Sequence, residues 1–451
     1  MANATVKPES PTRLWINLIG LLCSLLAVAA IKYFNLELPV RTTVAVLVCL
    51  ALALPIIILE AWRLKPQTNS SAGLQLDKRR GNWPRTLTKL VGFYACLGLV
   101  ALVYWILPEY HGDFYQHYFF VLFAFLPYWL LLAIPYFYFV DSAMQSPKDA
   151  YWRLGRLVLA KPITDTDRAN ADLGQLFLGW LVKLFFLPLM FVYLGNNLET
   201  LLNSNSQLFS GGFQQWFDFA FNFLYYIDLL IVTVGYVFTL RLLDSHIRST
   251  EPSLLGWAVA LMCYQPFWSL FSGTYIQYDQ GPAWGHWFWQ TPWAYGLWGA
   301  GILALLMIYV WASMAFGIRF SNLTHRGILT NGPFQFTKHP AYVSKNLSWW
   351  MISMPFMVSA SLDQTLRQCA MLLLLNGVYF LRARTEEKHL SCDPAYVAYA
   401  NYMEQHGLFS GLGRALPWLR FTPGKLFSSG QRPPQKIKSS LQFTADRKSV
   451  G

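Results

Sequence analysis

The chain is short of charge. Only 13% of its 451 residues are Asp, Glu, Lys or Arg, about half the share usual in a soluble domain. That shortage argues against a solvated or largely disordered chain. Cysteine is scarce too: the six present include no Cys-x-x-Cys pair, so neither a zinc site nor a disulfide framework is indicated. Cys23, Cys49, Cys96, Cys263 and Cys369 fall in apolar runs and read as small core residues; Cys392 follows a polar cluster. No internal repeat is found. Cations are absent altogether from three segments, 108–117, 195–215 and 272–293.

What is present in quantity is apolar sequence. Hydrophobic residues make up 55% of the chain and aromatic residues 17%. Many runs reach the roughly 20 residues needed to cross a bilayer, and aromatic rings cluster near their ends, where amphipathic side chains favour the interface. The expected fold class is all-α: a polytopic transmembrane helical bundle of about ten spans. The candidate runs are 14–34, 43–62, 90–107, 118–140, 176–194, 216–240, 254–271, 294–316, 342–358 and 366–381. The ninth is interrupted by Lys345, Asn346 and Pro355. The loops between runs two and three, four and five, six and seven, and eight and nine all carry Lys or Arg, and the alternate loops 108–117, 195–215 and 272–293 carry none. Under the positive-inside rule this predicts both termini in the cytoplasm. The net charge of +12 then reflects basic loops beside a bilayer, and no nucleic-acid partner is expected. Lys7, Arg13 and Ala27-Val28-Ala29 resemble a signal peptide, but the run continues through Ala30-Ile31, so an uncleaved first span is the reading.

Three regions are expected: an N-terminal bundle over 1–250, a chemistry-bearing membrane core over 251–410, and a basic tail over 411–451, disordered beyond about Pro433 and suited to anionic lipid. Loop 64–89 reads as a linker, loop 141–175 as an interfacial segment, and the aromatic loop 272–293 as lying on the outer interface. Lys183 and Asp228 fall in mid-span. Intramembrane charges pair or line a cavity, so they are expected either as a pair, as walls of a polar cavity, or as snorkelling side chains. Glu60, near Arg63 at a span end, reads as structural.

The chemistry is concentrated in two polar motifs around one apolar hairpin. The first runs Asn331-Gly332-Pro333-Phe334-Gln335-Phe336-Thr337-Lys338-His339-Pro340-Ala341-Tyr342, the second Arg382-Ala383-Arg384-Thr385-Glu386-Glu387-Lys388-His389-Leu390. Folding the hairpin brings both to one membrane face. Gly332-Pro333 makes a turn and ends a helix arriving from the eighth span. Pro340 suits the first turn of a new helix, which sets His339 at its start, beside free amides able to bind a carboxylate or other acceptor. His339 then either contacts a cofactor or is satisfied by backbone. Arg382 and Glu386 are four apart and share a helix face, whereas Glu387 is turned about 100° away. These residues read either as a site or as an ordinary ion-paired surface helix. Tyr396, Tyr399 and Tyr402 form a helical stripe, either an interfacial anchor or the wall of a ligand site.

Together the motifs resemble the Gly-Pro-(aromatic)-x-(aromatic)-x-(basic)-His-Pro-x-Tyr and Arg-x-Arg-x-Glu-Glu-x-x-Leu elements of the membrane methyltransferase superfamily, which contains isoprenylcysteine carboxyl methyltransferases and phospholipid methyltransferases. The resemblance covers roughly 295–410 and includes the Tyr396/Tyr399 pair. Gln335 stands where many relatives have Arg, Ser344 where a Gly is common, and Ser391-Cys392-Asp393 where Phe-Gly is usual. The resemblance implies S-adenosylmethionine as cofactor, with His339, Pro340, Tyr342, Glu386, Tyr396 and Tyr399 as its contacts. It implies Arg382 and Glu387 as the catalytic pair, no metal, and a membrane lipid or lipidated substrate as partner. The acceptor stays open among an isoprenylcysteine-like carboxylate, a phospholipid amine and a lipophilic thiol, with the site at the cytoplasmic face of the cell membrane. Two other readings stand beside it: an NADPH-dependent reductase of the sterol-reductase type, and a transporter or scaffold with a degenerate methyltransferase-like module.

Overall fold

Inside hydrocarbon an unpaired backbone amide has no water to turn to, so apolar runs fold as helices that satisfy their own hydrogen bonds. The computed structural model, which describes residues 7–34, 41–163, 166–204, 212–357 and 361–422, is all-α apart from one two-residue strand pair. The helices are α1 (Leu14–Tyr33), α2 (Arg41–Arg63), α3 (Trp83–Ile106), α4 (Gln116–Ala143), α5 (Ala150–Val158), α6 (Thr166–Asn203), α7 (Gly212–Val237), α8 (Leu254–Leu261), α9 (Trp284–Phe288), α10 (Pro292–Phe316), α11 (Pro340–Ser353), α12 (Leu362–Leu390), α13 (Pro394–His406) and α14 (Ser410–Ala415). Strand β1 (Ser249–Thr250) pairs antiparallel with β2 (Thr324–His325). The basic tail beyond Thr422 lies outside the described residues.

Among the described residues seven helices are long and apolar enough to cross a membrane: α1, α2, α3, α4, α6, α7 and α10. The other three expected spans take different forms. The run 254–271 stops as α8 at Leu261, short of Pro266, which can supply no backbone N–H, and a separate π-helical segment follows at Ser269–Ile276. The run 342–358 is the 14-residue α11, roughly 21 Å at 1.5 Å per residue against a hydrocarbon core of about 30 Å. Helix α12 has 29 residues, but its apolar stretch is confined between Arg367 and Arg382.

The main core joins α2, α6 and α7, with Val48, Leu52, Phe186, Leu194, Leu230 and Val234 buried. Two polar devices tie it to the C-terminal third. Arg319, just past α10, pairs with Glu60 of α2 at 2.8 Å, both fully enclosed, so the partner of Glu60 is distant in sequence rather than the nearby Arg63. Arg326 spends all five of its guanidinium donors on backbone carbonyls: Gly235, Phe238, Ser245, Ile318 and Phe320, at 2.6–2.9 Å. Helix α1 and the turn before it also dock on the end of α10, Thr12 donating to the Ala315 carbonyl and Asn17 to that of Met314, each at 2.7 Å. Gly317 permits this approach; its φ is +52°, and a Cβ there would sit 2.4 Å from Asn17 Oδ1. Elsewhere Trp284, expected at the outer interface, is buried against Phe217 and Tyr295.

Lys183 and Asp228 do not pair. Lys183 donates to Thr239 Oγ1 and lies over the Trp180 ring, while Asp228 accepts from Tyr309 and Ser313 of α10. Lys183 is level with the end of α7, and Asp228 is eleven residues before Thr239, so roughly 15 Å of helix separates them. Lys183 does line a cavity, a mainly apolar cleft described below.

Candidate functional site at the mouth of the helical hairpin

Beyond Gly317 the chain folds back beneath α10. The expected turn is present as a 3-10 segment at Gly332–Gln335, with Gly332 at φ +55°, although α10 ends well before it, at Phe316. Pro340 occupies the first turn of α11 and His339 its N-cap position, with no side-chain cap bond. From α11 the chain returns along α12 and turns sharply into α13, whose N-cap Asp393 accepts from the Ala395 amide at 2.8 Å.

The two motifs meet. Tyr342 donates to Glu386 Oε2 at 2.8 Å, and His339 Nε2 lies 3.2 Å from Glu387 Oε1. The His339 and Tyr342 rings stack at 5.5 Å. A cavity of about 160 Å³ opens beside them, lined by His339, Pro340, Tyr342, Arg382, Glu386, Tyr396 and Tyr399. Seven of the eight expected site residues therefore share one cavity. The eighth, Glu387, is not in the lining. It is buried behind the wall, 2.8 Å from Lys338 and 3.2 Å from both His339 and Arg384. Burial pushes its carboxyl up, but the hydrogen bonds and charges of His339 and Lys338 outweigh that and hold it down at about 2.

Residues 297–392 match the isoprenylcysteine carboxyl methyltransferase (ICMT) family. No curated protein and no solved structure matches the chain. The ICMT segment runs from within α10 to just past α12, so it includes His339, Pro340, Tyr342, Arg382, Glu386 and Glu387 and stops before Tyr396 and Tyr399. It supports, in general terms, a methyltransferase held in a membrane.

Within and beside the ICMT segment the structure adds residues that sequence reasoning passed over. Arg382 donates to Asn322 Oδ1 at 2.6 Å and lies 5.2 Å from the Tyr342 ring centre, 5.7 Å from Tyr264 and 6.0 Å from Tyr379. Asn322 is fixed in turn by Tyr236 and Tyr264 hydroxyls at 2.8 and 3.1 Å. Lys345, one and a half turns into α11, also lines the cavity, its ammonium 5.5 Å from the Tyr309 and Trp349 ring centres and 5.9 Å from that of Tyr379. Among the described residues neither Arg382 nor Lys345 has a carboxylate at ion-pair distance. Its place in an apolar run was the available signal for Lys345; nothing around Asn322 pointed to a bond with Arg382. The Tyr stripe divides: Tyr399 donates to the Phe334 carbonyl at 2.6 Å, whereas the buried Tyr396 hydroxyl has no hydrogen-bond partner among the described residues. Among the described residues no group of three or more His, Cys, Asp or Glu gathers as metal ligands.

Proposed function

We propose that this chain is an integral membrane methyltransferase that uses S-adenosylmethionine and esterifies a lipophilic carboxylate. The observation that carries the reading is the pair of cations, Arg382 and Lys345, facing one cavity; among the described residues aromatic rings and an amide carbonyl surround them, no carboxylate lies at ion-pair distance, and the Asp228 charge reaches Lys345 only from farther off. A cation held away from water and without a counter-ion gains most from an anion. A carboxylate acceptor supplies one; an amine or a neutral thiol does not.

The donor set suits the cofactor on independent grounds. The Tyr396 hydroxyl is buried in the wall and unpaired, a cost of about 1–3 kcal/mol unless a ligand satisfies it. Glu386 faces the cavity and offers an acceptor to an amino or ribose group. When bound, S-adenosylmethionine supplies a methyl group already activated by its sulfonium. The protein's part is then to hold the carboxylate in line and keep water out. Arg382 orients the acceptor oxygen, Lys345 balances its charge, and Tyr342 holds Glu386 in place. A carboxylate is nucleophilic without a base, so Glu387 is assigned a positioning role: its bonds to His339 and Lys338 fix the start of α11.

Calorimetry of S-adenosylmethionine against purified full-length protein, with NADPH as control, tests cofactor class. Transfer of labelled methyl to an S-prenylated cysteine, with phosphatidylethanolamine as competing acceptor, tests acceptor class. Arg382→Gln is expected to lower transfer to the carboxylate about 100-fold while leaving cofactor binding within a few-fold. Binding of NADPH alone, or transfer only to the amine, overturns the reading.

A further inference from the structure

A second, larger cavity lies outside the methyl-transfer site: a cleft of about 1550 Å³ between α3, α4, α6 and the segment after α7. It follows α3 from Lys89 to Trp105, roughly 24 Å at 1.5 Å per residue, most of the thickness of a bilayer core. Its long walls are apolar. Phe123 and Leu132 of α4 line it and are still mostly exposed, 66% and 64%, so the cleft opens sideways to surrounding hydrocarbon. Its polar end gathers Lys183, Arg241 and His246.

The charge there is unbalanced. The carboxylates lining the cleft are each engaged: Asp141 by Arg85 and Lys89, Asp149 by Lys89, and Asp172 by Arg153. Lys183 has only a threonine hydroxyl and an indole ring, Arg241 only the Ala72 carbonyl at 2.9 Å for its guanidinium, and neither has a carboxylate among the described residues. The Nδ1 of His246 is buried without a hydrogen bond, with Asp244 Oδ1 3.9 Å away. A half-buried ammonium with neutral partners alone attracts an anion, and the walls below it attract hydrocarbon chain.

We propose that this cleft binds a membrane lipid with an anionic headgroup, the head at Lys183 and Arg241 and the chain along α3 and α4. The site is separate from the methyl-transfer cavity. A thin wall divides them, bridged by hydrogen bonds from Asn322 to Tyr236 and between Ser249 and His389. The inference does not rest on methyl transfer.

The test uses full-length protein in phosphatidylcholine nanodiscs and hexadecyl phosphate carrying a photoreactive diazirine at the chain end. Mass spectrometry should find one label per chain, on α3 or α4. Lys183→Gln should cut labelling at limiting probe at least about tenfold, the loss expected for one charge-assisted contact. Gly98→Trp should abolish it. Gly98 lines the cleft and a Cβ there meets nothing within 4 Å, so a side chain can start there in open space and fill the chain site, and this variant decides the matter if Lys183→Gln misfolds. The matching hexadecanol probe should label weakly and indifferently to Lys183→Gln. Equal labelling by phosphate and alcohol, labels away from α3 and α4, labelling that survives Gly98→Trp, or competition by inorganic phosphate as effective as unlabelled hexadecyl phosphate would each overturn the proposal.

Discussion

Glu386 and Glu387 are neighbours in sequence, and the 100° step of the helix gives them different surroundings. Glu386 meets Tyr342 at the cavity; Glu387 is closed in by Lys338, His339 and Arg384. The depressed carboxyl of Glu387 links stability to pH. Its folded value, about 2, lies below its ordinary 4.5, so the stabilisation is complete above about pH 4.5 and is lost as pH falls toward 2. His389, pushed down to about 4 by burial and by His325, acts in the same direction: the unfolded chain takes up a proton near pH 6.5 that the folded chain resists. Thermal unfolding is therefore expected to be flat above pH 7 and to fall in acid. Glu387→Gln should cost about 3 kcal/mol at pH 7 and flatten the part of the acid loss below pH 4.5. An unchanged slope would mean that Glu387 is not held by its three partners. The separation of the two carboxylates, and the shared face of Arg382 with Glu386, were readable from helix geometry alone. The engagement of Glu387 by Lys338 was not, because the two lie on different elements and only the closed hairpin brings them together.

Among the elements, the links that matter most run through cations that looked like loop residues. Arg319 and Arg326 contribute to the alternating loop charges, yet both are buried. Arg326 closes off the C-terminal end of α7 and the turn after α10 with a single planar group, a task that suits the five-donor fork of arginine. A lysine keeps the charge but has three donors and no fork. Arg326→Lys is expected to destabilise the protein by about 4 kcal/mol, because at least two buried carbonyls lose their partner; a shift in thermal midpoint of less than one or two degrees would refute this. The same comparison shows why the chain was only partly legible at this scale. Apolar length and loop charge marked the seven long helices. They did not reveal that Pro266 would break the seventh run, or that α11 would stop after 14 residues.

At the scale of the molecule, the first 250 residues and the remainder are interlocked. Helix α1 docks on α10, β1 on β2, Glu60 on Arg319, and three of the five carbonyls around Arg326 come from residues 235–245. A fragment of residues 251–451 is therefore expected to elute as aggregate from size-exclusion chromatography even though it contains the whole segment that matches the ICMT family. A monodisperse fragment that binds S-adenosylmethionine would contradict this. No motif announced the interlock, because its contacts are mostly from side chains to backbone carbonyls and leave little trace in residue type.

Arg326 also has a meaning in time. Its donors cannot all be satisfied until the end of α7 has met the turn after α10, and a ribosome delivers those two pieces some eighty residues apart. While the second piece is still emerging, the exit from α7 keeps bare carbonyls. The cavity motifs come later still, so on the growing chain the cavity between His339 and Arg382 is completed after Arg326 has its carbonyls, and it closes over a clasp that is already set.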